Sequence, residues 1–143
     1  MFAMKDVPQA AKLLGLAGLI PFVGLAALAF AAPDTPAVQW LAAYAATILA
    51  FLGGCRWGLA SAGMGDGPQL WPLLYAVSPS LWAWVALTSP APLNLGLLAA
   101  GLAYLLVADL SLTRFGGAPK WWPALRAPLT LVAVPSLVAA MFA

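Results

Sequence analysis

Apolar residues in this 143-residue chain gather into five long runs, at about 12–32, 37–62, 69–87, 93–112 and 124–143. Each is close to the ~20 residues a helix needs to cross the hydrocarbon core of a bilayer. Short breaks rich in proline, glycine and aspartate separate them, as in Pro33-Asp34-Thr35-Pro36 and Gly63-Met64-Gly65-Asp66-Gly67-Pro68. The chain is 64% hydrophobic and 7% charged, whereas soluble domains carry roughly a quarter charged residues. A soluble fold would lack the polar side chains to cover its surface. The expectation is therefore an all-α, multi-pass membrane protein: one transmembrane domain over residues 1–143, a bundle of five helices in a lipid bilayer.

The same composition removes several functions. There is no histidine, and Cys55 is the single cysteine. Histidine-ligated haem, His/Cys zinc sites and Ser-His or Cys-His nucleophiles are excluded within the chain. No catalytic residue set, no metal site and no cofactor is expected, so the chain does not read as an enzyme. Six Lys/Arg against four Asp are too few for the basic patch a nucleic acid requires.

Those cations carry topology instead. With five spans, Lys5, Lys12, Arg114, Lys120 and Arg126 all fall on the face that holds the N-terminus, while the other face holds only Asp34. The positive-inside rule then predicts a cytoplasmic N-terminus and a periplasmic C-terminus. Within the first run, Ala29-Phe30-Ala31 resembles a signal-cleavage site, but the run is longer than a signal-peptide core. Pro21 is expected to kink that helix near its middle. Pro79 lies inside the third run between Ser78 and Ser80, whose hydroxyls can rebond the carbonyl it frees. In the loop before the last run, Arg114, Lys120, Trp121, Trp122 and Arg126 read as interfacial anchors for lipid headgroups.

The second run holds the densest pattern. Small residues recur every fourth position through Ala42, Ala46, Ala50, Gly54, Gly58 and Ala62. Gly54 and Gly58 form the GxxxG spacing that lets membrane helices approach closely. Gly53, Gly54, Gly58, Ala50 and Ala46 are thus expected to pack a neighbouring helix. Arg56 lies two residues from each glycine of the pair, roughly 200° around the helix, and so points away from that face. It sits about six residues, roughly 9 Å, before the inner end of its span. Asp109 lies at similar depth near the inner end of the fourth run. A charge inside an apolar helix is costly unless paired, and an intramembrane ion pair between Arg56 and Asp109 is the natural inference. Arg56 could instead snorkel to lipid phosphate or meet a ligand or partner, and Arg114 and Arg126 are rival partners for Asp109. A carboxylate held by an arginine suits a structural pair better than a proton carrier.

Several stretches resemble one uncharacterised family. These are Gly15-Leu16-Ala17-Gly18-Leu19-Ile20-Pro21-Phe22, then Tyr44, then Phe51-Leu52-Gly53-Gly54 with Arg56-Trp57-Gly58-Leu59-Ala60, and finally Trp121-Trp122 with Leu125-Arg126 and Leu129-Thr130. The pattern is similar to the transmembrane protein 69-like family (domain of unknown function 3429), small polytopic proteins of proteobacterial inner membranes and of mitochondria. In that family a histidine often stands where this chain has Arg56, so the arginine departs from the pattern. The resemblance implies a five-helix bundle, multi-pass in a bacterial inner membrane, and supplies no activity.

Two functional classes follow. The first is a non-enzymatic accessory or assembly subunit docking on a larger energy-transducing membrane complex, respiratory or photosynthetic. The second is a small carrier or channel, expected to be oligomeric, with Arg56 and Asp109 in a polar cavity.

Overall fold

In the computed structural model, which describes residues 4–143, every regular element among the described residues is a helix. A short 3-10 turn, Met4–Asp6, leads into α1 (Gln9–Ala17) and α2 (Ile20–Ala31). They are followed by α3 (Ala37–Ser61), α4 (Leu70–Thr88), α5 (Leu93–Arg114) and α6 (Trp122–Ala140). Counting α1 and α2 as one crossing, Gln9–Ala31, five helices are long and apolar enough to span a membrane. The observed ends fall within three residues of the expected ones.

The first crossing is not a single helix kinked at proline. It is interrupted at Gly18 and Leu19, and Pro21 sits in the first turn of α2, where a missing N–H costs nothing. The Gly18 carbonyl accepts a hydrogen bond from the Tyr44 hydroxyl of α3 at 2.7 Å. The same tyrosine packs edge-on against Phe22, with ring centroids 5.1 Å apart. A break that would expose backbone to lipid is thereby turned into a fastening between α2 and α3. In α4, Pro79 cannot bond the Tyr75 carbonyl, and Ser78 Oγ donates to that oxygen at 2.9 Å.

Helix α3 is the middle of the bundle, packing most extensively on α4 and also against α2 and α5; α6 closes the other side against α5 and α2. The centre is built from Leu41, Leu49, Leu95, Leu98, Leu102 and Leu137, interleaved with alanines such as Ala45 and Ala86. Alanine at these positions lets the helix backbones come close, since lipid supplies no hydrophobic force to press them together. The outside is as apolar as the inside: Leu14, Ile20, Trp84 and Leu131 are all exposed. That distribution suits a hydrocarbon solvent.

The glycines of α3 behave differently from expectation. A Cβ added to Gly54 or Gly58 meets nothing within 4 Å, and both residues are exposed. The GxxxG pair therefore packs no helix within this chain. The stripe drifts around α3 because a four-residue step overshoots one turn of 3.6. Ala42 and Ala46 are buried, Ala50 is half-buried, and the glycines have rotated out of the bundle. The close approach occurs one residue earlier. A Cβ on Gly53 would lie 2.5 Å from the Ala76 carbonyl oxygen of α4 and 3.3 Å from Pro79.

These neighbouring glycines give a direct contrast. Gly53→Ala should destabilise the protein by about 1–3 kcal/mol, the usual cost of overpacking, because its obstacle is backbone. Gly54→Ala should be neutral or stabilising by up to about 1 kcal/mol, since alanine is the better helix former. Thermal melts of the two variants in the same detergent check this; equal losses would contradict the assignment of the α3–α4 contact to Gly53.

Candidate functional site

The polar centre of the molecule is Asp109, one turn and a half before the end of α5 and 1% exposed. Its two carboxylate oxygens face two different helices. Arg56 of α3 donates from Nη1 to Oδ1 at 2.7 Å. Arg126 of α6 donates from Nε to Oδ2 at 2.9 Å, and the Trp122 indole Nε1–H reaches the same oxygen at 3.1 Å. Thr113 Oγ1 donates to the Asp109 backbone carbonyl at 3.0 Å, steadying the last turn of α5. One acid thus joins α3, α5 and α6.

Each partner is placed by local helix geometry. Trp122 and Arg126 are four residues apart on α6 and therefore on one face. Arg56 projects from α3 toward α5, opposite its exposed glycines. Arg126 is 3% exposed and the Arg56 side chain 10%. Two guanidinium groups against one carboxylate leave the cluster with a formal charge of +1. Its donors are also in excess: Arg126 Nη2 and Thr130 Oγ1, one turn further along α6, are buried without a hydrogen-bond partner. Among the described hydrogen bonds Arg56 uses Nη1 alone.

The structure therefore brings Arg56 and Asp109 together and adds Arg126 to them, so the two arginines are joint partners rather than rivals. Arg126 and Trp122, expected as interfacial anchors, both turn to Asp109 and belong to the cluster. Arg114 and Lys120 are exposed at the same end of the bundle, and Trp121 stacks edge-on against Trp122 with centroids 5.8 Å apart. Gly53, Ala46 and Ala50 lie on the packed side of α3, whereas Gly54 and Gly58 do not. Trp122 was hidden in the sequence because the apolar run suggests a helix beginning near 124. Extending that helix by two residues aligns Trp122, Arg126 and Thr130 at i, i+4 and i+8, the one signal that marks the cluster.

With this geometry in place, comparison with known proteins becomes informative. A family described as "Protein of unknown function (DUF3429)" matches residues 7–142. The chain belongs to this family. It is similar to proteins named "Transmembrane protein 69": 41% identical to that of Xenopus tropicalis over 97% of this chain, and 36% identical to that of Mus musculus over 94%. The chain spans about half the length of these curated relatives, 56% in each case. No solved structure matches it. Among the described residues no group of three or more His, Cys, Asp or Glu is gathered that could hold a metal ion. What the cluster can do chemically is hold helices and present cationic donors.

Removing one partner of a buried pair costs about 3–5 kcal/mol because the other charge is stranded. Asp109→Ala strands two guanidinium groups, whereas Arg56→Gln or Arg126→Gln leaves the acid one partner. Thermal unfolding in detergent should rank Asp109→Ala as the most destabilised of the three. A loss no larger than that of either arginine variant would contradict the shared-acid arrangement.

Proposed function

We propose that this multi-pass membrane protein is a non-enzymatic accessory or assembly subunit of a larger energy-transducing membrane complex. In this reading it lies in a bacterial inner membrane, with its N-terminus cytoplasmic and its C-terminus periplasmic. The observation that carries the reading is the exposed face of α3. Gly54 and Gly58 have nothing within 4 Å of where a side chain would stand, and they are flanked by the exposed rings of Phe51 and Trp57. GxxxG spacing favours close approach of a second membrane helix, and no helix of this chain fills it. A transmembrane helix of another protein is the fitting occupant.

The orientation rests on Lys5, Lys12, Arg114, Lys120 and Arg126 falling on one side. The choice of an energy-transducing complex rests on the family resemblance, which spans proteobacterial inner membranes and mitochondria. A carrier in which Asp109 moves charge has less support, since both carboxylate oxygens are already engaged by arginine.

The test is isolation from native membranes in mild detergent, with identification of the co-migrating proteins. The expected outcome is stoichiometric co-migration with subunits of a respiratory or photosynthetic complex. Gly54→Leu with Gly58→Leu should release the protein from that complex while its own melting temperature is unchanged. A lone homodimer in place of such a complex would overturn the reading.

A further inference from the structure

A long lateral groove lies between α4 and α5, with α3 as its floor. Its apolar stretch encloses about 610 Å³ and is lined by Leu49, Pro79, Trp82, Ala100 and Gly101 among others. Its polar stretch encloses about 490 Å³ and includes Arg56, Asp66 and Ser111. The two share Trp71, Tyr75 and Tyr104 as walls, so they adjoin end to end, and both are open to the side. All three of these aromatic residues are exposed.

Three features describe the occupant. Polarity is segregated along the groove, apolar at one end and charged at the other, which is the layout of an amphiphile. Arg56, nine-tenths buried, belongs to a cluster with one cation in excess and uses only Nη1 on Asp109. Arg56 lines the polar end, and among the described hydrogen bonds its other N–H groups have no acceptor; a phosphate oxygen is the complementary group. Asp66, exposed on the α3–α4 loop, lines that same end; beyond a phosphate it would meet an ammonium group favourably and a second anion poorly. Length agrees as well. Trp71 to Trp82 along α4, which bound the apolar stretch, is eleven residues, roughly 17 Å at 1.5 Å per residue, close to half the ~30 Å hydrocarbon core. That is the depth of one acyl chain in one leaflet.

We propose that the α4–α5 groove is a phospholipid site: the phosphate of an aminophospholipid binds Arg56, its ammonium faces Asp66, and one acyl chain lies along the groove. The lipid comes from the surrounding bilayer and enters sideways between Tyr75 and Tyr104.

Native mass spectrometry of the purified chain tests this, with phosphatidylethanolamine, phosphatidylglycerol and inorganic phosphate as probes. The wild type should retain one phosphatidylethanolamine several-fold more strongly than phosphatidylglycerol. Ala100→Trp fills the apolar stretch from an exposed position and should lower retention of both lipids about tenfold. Asp66→Asn, on the loop and away from the ion cluster, should abolish the preference for the amine headgroup. Unchanged retention in Ala100→Trp, or an unchanged preference in Asp66→Asn, would overturn the proposal. Inorganic phosphate bound equally by wild type and Ala100→Trp, and displacing lipid, would mark a site for free phosphate and overturn it too.

Discussion

The buried charges of this bundle converge on one carboxylate. Asp109 is buried, and its two oxygens accept from Arg56 of α3 and from Arg126 and Trp122 of α6. In a medium with no water to solvate a stray charge, an ion is tolerable only where its partners are fixed. The cluster therefore specifies which helices must meet, and at what depth. Apolar packing cannot do this alone, because a leucine face is as well solvated by lipid as by another helix. The alanine and leucine interior supplies close contact; the ion cluster supplies register.

The surrounding features follow from that joint. Arg56 can reach α5 only if its face of α3 turns inward, and this places Gly54 and Gly58 outward. Gly53, between the two orientations, becomes the point where α3 touches the α4 backbone. The Tyr44 hydroxyl closes the break in the first crossing at Gly18, bringing α2 onto α3. Helix α4 packs more extensively on α3 than on α5, and a groove is left between α4 and α5 with Arg56 at its polar end.

Much of this was legible in the residues. Five apolar runs predict five crossings, since helix length is set by bilayer thickness and not by tertiary detail. Arg56 and Asp109 are the two charges well inside those runs, and a shared depth is readable from spacing alone. What could not be read is rotation. A small-residue stripe at every fourth position drifts around a helix, so the pattern does not say which of its members face a partner. The contribution of Arg126 and Trp122 was obscured for another reason. Trp-Trp-Pro beside a lysine has the composition of an interfacial loop, whereas α6 begins at Trp122 and turns both side chains inward. Composition reports the environment of a segment, while a side chain's role depends on the face it occupies.

The central claim is that Asp109 joins three helices through two arginines at once. Thermal unfolding of a mutant cycle in one detergent tests it most directly, using Asp109→Asn, Arg56→Gln and Arg126→Gln singly and in combination. Sites that share a partner are non-additive. The account predicts that adding both arginine substitutions to Asp109→Asn recovers part of its loss, because the stranded charges are removed. Strictly additive losses across the cycle would contradict it.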